Sequence, residues 1–137
     1  MTFRVSTEKP VRILFVCLGN ICRSPTAEVV FKRQVEQAGW QGLIQADSAG
    51  TAAWHEGKAP DVRSQQHARV RGYELSSLRA RQVQLEDFVD FDHIIAMDAA
   101  NLAEVKRLRL QVGESAKARL SLLLDYHPEL QGGDVPD

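Results

Sequence analysis

An apolar run, Val11-Arg12-Ile13-Leu14-Phe15-Val16, leads directly into Cys17-Leu18-Gly19-Asn20-Ile21-Cys22-Arg23-Ser24, and Pro25 follows. A short apolar run bounded by turn chemistry reads as a buried parallel strand. Pro25 at a first helical position, with Ser24 before it, reads as a helix start. The sequence therefore predicts a strand, a tight loop and a helix, the unit from which layered α/β folds are built.

The rest of the chain repeats that alternation. Ala27, Phe31, Val35 and Ala38 fall on one helical face, and Gly39 stops the helix. Leu43–Ala46 reads as a second strand, ending in the turn-rich Asp47-Ser48-Ala49-Gly50-Thr51, and the segment from Trp54 to Pro60 reads as a loop. Asp61 is placed to cap a helix running to about Arg71 and closed by Gly72. Leu85–Phe91 suggests a short helical segment, His93–Met97 a third strand, Ala99–Leu108 a third main helix and Leu120–Leu124 a fourth strand. His127 to Asp137, with its Pro and Gly-Gly, reads as loop. Expected is one α/β domain with a four-stranded parallel sheet and helices on both faces.

With 137 residues there is room for a single core. The net charge of −1 gives no electrostatic reason to expect nucleic acid or a membrane as partner. No apolar stretch approaches the length of a bilayer span, and residues 1–10 read as a polar, frayed lead-in without a signal-peptide core. Two cysteines five positions apart form neither a secreted disulfide framework nor a C-x-x-C pair, which fits a reducing cytoplasm. His55, His67, His93 and His127 lack metal-ligand spacing, so no metal or other cofactor is expected.

A thiol followed six positions later by an arginine, across a Gly-Asn turn, has the makings of a phosphate trap. Amides at a helix N-terminus favour an oxyanion. The same field favours a thiolate, which makes Cys17 the candidate nucleophile. Arg23 offers a planar, bidentate fork for phosphoryl oxygens, and the intervening Leu18, Gly19, Asn20, Ile21 and Cys22 supply the amide cradle. Gly19 and Asn20 are residue types that tolerate left-handed backbone. Ser24 is placed to donate to the Cys17 sulfur. Cys22 is either a core residue or a second thiol that pairs with Cys17 under oxidation. His55 reads as a solvated loop residue.

Beyond the loop, Asp47-Ser48-Ala49-Gly50-Thr51, Trp54-His55, Gly57, Pro60-Asp61-x-Arg63, Ala80-Arg81-Gln82, Asp87-Phe88, Phe91-Asp92, Met97-Asp98 and Asn101 follow in order. With the cysteine motif, these resemble the markers of the low-molecular-weight protein tyrosine phosphatases, from about Val11 to the last residue. The resemblance implies a flavodoxin-like sheet of order 2-1-3-4, with residues 11–137 forming a phosphatase domain. It implies that Cys17 attacks phosphorus and forms a phosphocysteine, and that Arg23 holds the equatorial oxygens. Asn20 and Ser48 would keep the loop bent, with Ser24 supporting the thiolate. Val135-Pro136-Asp137 matches the approach to the family's general acid, which makes Asp137 the candidate. The partners implied are phosphotyrosine-containing proteins, with inorganic phosphate or other oxyanions as loop ligands.

Two departures from the family pattern stand out. The sequence stops at Asp137, where the family continues with Pro, aromatic residues and a final helix, so a truncated form of a longer protein is expected. Leu78 stands where many members carry a histidine that supports Asn20, so a thinner network is expected. Ile21 and the rim residue Trp54 favour a flat aromatic leaving group. In the family a threonine in place of Ile21 accompanies phosphoarginine hydrolysis, so Ile21 argues for phosphotyrosine. The alternatives are an arsenate reductase on the same fold and a phosphate- or phosphotyrosine-binding module that does not hydrolyse its ligand. No cysteine follows Cys22, so an intrachain reductase relay is excluded.

Overall fold

The computed structural model describes residues 8–136. Asp137 and most of the lead-in, residues 1–7, lie outside the described residues. Strands β1 (Val11–Cys17), β2 (Ile44–Gly50), β3 (His93–Ala96) and β4 (Arg119–Leu122) form one parallel sheet in the order β2-β1-β3-β4. The helices are α1 (Arg23–Gln37), α2 (Val62–Val70), the single turn α3 (Asp87–Asp90) and α4 (Ala99–Val112). This is the flavodoxin-like order expected from the resemblance. Among the described residues, no helix is long and apolar enough to cross a membrane.

Alternation along central β1 sends its side chains to two separate cores. Leu14 and Val16 pack with Phe88, Phe91, Ile94 and Val105 on one face. Phe15 and Cys17 pack with Ile95 and Met97 on the other, where Ala27 and Phe31 of α1 join them. Parity therefore delivers the Cys17 side chain to the face that α1 covers.

Several boundaries differ from expectation, each for a physical reason. Asp47-Ser48-Ala49-Gly50 continues β2 rather than turning, and pairs residue for residue with Leu14–Cys17. Its small residues suit a strand crowded from above by the loop after β1. Helix α4 runs past Leu108 to Val112 and ends at Gly113, whose φ of 78° is left-handed. β4 stops at Leu122 because the Asp125 carboxylate accepts from Leu122 N at 3.0 Å and draws the chain into a 3-10 turn.

Helix α1 begins at Arg23, two residues before Pro25, and Thr26 Oγ1 donates to the Cys22 carbonyl at 2.7 Å in its first turn. Its buried positions are Ser24, Pro25, Glu28 and Val35; Ala27 and Phe31 are half-buried and Ala38 is exposed. The buried face is thus rotated from the apolar stripe and contains a glutamate. Asp61 caps α2 as expected, accepting from Arg63 N at 2.9 Å.

Candidate active site

The loop from Leu18 to Cys22 is shaped by where its carbonyls go. Cys17 O accepts from Thr51 N and Leu18 O from Ala52 N, both at 2.9 Å. Ile21 O accepts from Asp61 N at 2.8 Å, and Cys22 O accepts from Thr26. In a planar trans peptide the next N–H points opposite to the carbonyl. Outward carbonyls at these four positions therefore turn the amides of Leu18, Gly19, Cys22 and Arg23 toward the centre of the loop. Backbone amides that converge in this way favour an anion.

Asn20 makes the sharp bend, with φ of 58°. It is the only non-glycine residue with positive φ among those described. Gly19 is not left-handed; its missing side chain makes room instead. A Cβ there would lie 2.8 Å from His55 Cδ2, so the His55 ring lies over the loop rather than standing in solvent. Gly50 beneath the loop is equally confined: a Cβ would meet Leu18 O at 2.7 Å and Asn20 N at 3.1 Å.

At the base of the loop, the buried Cys17 Sγ lies 3.0 Å from Ser24 Oγ and accepts from Asn20 N at 3.3 Å. Asn20 Nδ2 donates to Ser24 Oγ at 2.8 Å and to Ser48 Oγ at 2.9 Å. Its Oδ1 accepts from the backbone N of Arg81 at 3.0 Å. All the polar atoms of the Asn20 side chain are engaged, and Leu78 is not among its partners. A backbone amide fills the remaining acceptor, so the network closes without a histidine. Arg81 is itself clamped between Asp87, at 3.0 Å, and Asp47, at 3.1 Å. Burial works to lower its pKa, but the hydrogen bonds and charges of the two carboxylates raise it.

Arg23 is tied to the start of α4 and to the chain just ahead of the C-terminal residue. Its Nη1 donates to Asp98 Oδ2 at 2.8 Å and to the Val135 carbonyl at 3.0 Å. Burial pushes the Asp98 carboxyl up, yet hydrogen bonds from Arg23 and the α4 N-terminus outweigh it and hold the group below its usual range. Val135 N in turn donates to Met97 O at 2.7 Å, and Asp134 accepts from Ala99 N. The stretch approaching Asp137 is thus tied to the end of β3 and to Arg23.

The family model for low molecular weight phosphotyrosine protein phosphatase matches residues 12–137. The chain belongs to this family. A low molecular weight protein-tyrosine-phosphatase of Bacillus subtilis is 44% identical over 127 residues, 93% of this chain and 80% of that protein. The human low molecular weight phosphotyrosine protein phosphatase is 43% identical over 119 residues, 87% of this chain and 74% of that one. Among solved structures, the Bacillus subtilis protein YfkJ superposes with a TM-score of 0.85 at 42% identity, covering 94% of this chain and 79% of that one. A Drosophila arginine phosphatase superposes with a TM-score of 0.79 at 37% identity, covering 83% and 71%. The family is one of phosphoric monoester hydrolases.

In this phosphatase chain Cys17, Asn20, Ser24 and Ser48 converge on one hydrogen-bonded network. Ile21 is half-buried in the loop, Leu18 is partly exposed, and Trp54 is 71% exposed beside His55. Both thiols are free; the partly buried Cys22 lines a cavity with Arg23, Met97 and Val135. Sequence reasoning missed Glu28, Gly50, His55, Arg81 and Asp98 as parts of the site. Gly50, His55, Arg81 and Asp98 all stand in segments that resemble the family's markers, and Glu28 is a carboxylate one helical turn after Ser24.

Proposed function

We propose that this protein hydrolyses phosphotyrosine monoesters through a phosphocysteine intermediate. The observation that carries the reading is Cys17 Sγ, hydrogen-bonded to Ser24 Oγ and Asn20 N at the base of a loop in which the carbonyls of Cys17, Leu18, Ile21 and Cys22 are turned outward. Attack by the Cys17 thiolate forms an S–P bond and breaks the bond between phosphorus and the tyrosine oxygen. Arg23 and the inward amides balance charge on the equatorial oxygens throughout. Asp137 gives its proton to the departing phenolate. It then takes one from the water that attacks the phosphocysteine, which releases phosphate and restores the thiolate. The anchoring of Asp134 and Val135 just ahead of Asp137 supports that role.

Ile21 and Trp54 suit a flat aromatic leaving group at the loop's mouth. The protein acts in the cytoplasm, where its thiols remain reduced, and oxidation there would join Cys17 to Cys22 reversibly. Hydrolysis of p-nitrophenyl phosphate and of a phosphotyrosine peptide by wild type, Cys17→Ser and Asp137→Ala tests the mechanism. Cys17→Ser is expected to abolish turnover. Asp137→Ala should slow the peptide by about 10²-fold or more, and the activated nitrophenyl ester less. Full turnover by Cys17→Ser would overturn the mechanism. Equal efficiency on phosphoarginine would overturn the substrate assignment.

A further inference from the structure

The network beneath the nucleophile does not end at Ser48. Ser48 Oγ donates to Glu28 Oε1 at 2.7 Å, and Glu28 Oε2 accepts from the ammonium of Lys32, one turn further along α1. Glu28 is only 2% exposed, whereas Lys32 is about half exposed. A buried carboxylate this close to a reactive thiol calls for a reason, because an acidic group is costly to bury.

The direction of every proton in the network follows from the chemistry of its members. The Arg81 backbone N–H can only donate, so the Asn20 atom facing it is oxygen and the atom facing the serines is the NH2. Both of its hydrogens are then spent, one on Ser24 and one on Ser48. Each serine oxygen accepts and has one hydrogen left to place. Glu28 takes the one from Ser48, since a carboxylate accepts and does not donate. With Cys17 as thiolate, which can only accept, the hydrogen of Ser24 goes to Sγ at 3.0 Å, with the Ala49 carbonyl a longer alternative at 3.4 Å.

We propose that Glu28, held by Lys32, is a positioning residue for the Cys17 nucleophile, acting through Ser48 and Asn20 to aim the Ser24 hydroxyl at the sulfur. This rests on the assignment of Cys17 as nucleophile. Glu28 does not touch the sulfur; its carboxylate meets Ser48 and Lys32. It supplies the acceptor that lets Ser48 receive from Asn20, and thereby holds Asn20 in the orientation that donates to Ser24. Leu78 offers no polar group for this purpose, so the charged end of the network comes from within α1.

The test is the pH profile of Cys17 alkylation by iodoacetate, followed by mass spectrometry, in wild type, Glu28→Gln, Glu28→Asp, Ser48→Ala and the Glu28→Gln/Ser48→Ala double variant. The other charged and titratable groups around the loop are Cys22, Arg23 with Asp98, Arg81 with Asp47 and Asp87, and His55 over Gly19; all are unchanged in these variants. In Glu28→Gln the single amide oxygen turns to Lys32, which can only donate, and presents the NH2 to Ser48. That variant and Ser48→Ala should each move the profile upward by about one pH unit and lower kcat about tenfold. The double variant should do no more than either single one, because both break the same chain. Glu28→Asp should recover part of the shift. An unmoved profile in Glu28→Gln, whether or not its melting temperature falls, would overturn the proposal. Alkylation requires no turnover, so the result stands apart from whether the chain hydrolyses phosphotyrosine.

Discussion

Asp98 divides its carboxylate between Arg23 and α4: Oδ2 holds Arg23 Nη1 at 2.8 Å, and Oδ1 caps the helix through Asn101 N at 2.8 Å. The residue that starts α4 thus also holds the guanidinium that follows the loop after β1. The position of Arg23 depends on the end of β3 as much as on its own helix.

Separating the two uses of Asp98 gives the first prediction. Asp98→Asn keeps a capping oxygen but weakens the hold on Arg23. Its kcat/KM should fall about tenfold or more, with a small change in melting temperature. Asp98→Ala should lose a further ~1 kcal/mol of stability, the usual value of an N-cap. Steady-state kinetics and thermal unfolding of the two variants measure the two effects separately.

The depressed Asp98 carboxyl fixes the sign of a pH effect. A group whose folded pKa is lowered adds stability above its unfolded value, about 4 for aspartate, and loses it as pH falls through the folded value. Wild type should therefore outlast Asp98→Asn in thermal unfolding at neutral pH, with the gap closing only in the acid limb. A gap that stays constant down to acid pH would show that the Arg23–Asp98 pair contributes nothing through ionisation.

Gly50 is a third point of leverage. A methyl group there would press on Leu18 O and Asn20 N of the loop backbone, neither of which can swing aside like a side chain. Gly50→Ala should cost about 1–3 kcal/mol of stability. Its kcat should drop about 10²-fold, because the cradle must shift as a unit. Retained activity at reduced stability would show that the loop can shift without losing its alignment.

Asn20 combines a left-handed backbone with three side-chain bonds. Asn20→Ala and Asn20→Gly both remove the bonds, but glycine alone adopts the conformation freely. The alanine variant should be less stable than the glycine variant by about 1 kcal/mol, with comparable losses in kcat. Chemical denaturation of the pair measures the difference directly.

Residues next to one another in the chain were legible from local pattern; of those that meet only in space, the Asn20–Ser48 pair came from the family resemblance and not from local pattern. The strand before Cys17, the turn at Asn20, the cap at Asp61 and the stop at Gly39 all follow from local rules of periodicity and backbone preference. Cys17 and Arg23 could be singled out for the same reason, since their spacing is local. Asp47-Ser48-Ala49-Gly50 was misread as a turn because small polar residues usually mark one. Here they form a strand whose Ser48 side chain is satisfied by Asn20 and Glu28.

Local pattern and family markers together thus specified an alternating α/β chain, the order of its sheet and a thiol where the first strand meets the loop before α1. Tertiary structure alone decided what holds that loop: Gly50 below it, the Arg81 amide beside Asn20, Asp98 on Arg23 and Glu28 beneath Ser48. The physical reason is that a buried polar group must find a partner wherever the fold supplies one. These partners lie on other strands, loops and helix ends, at separations of up to 75 residues, where no periodicity links them.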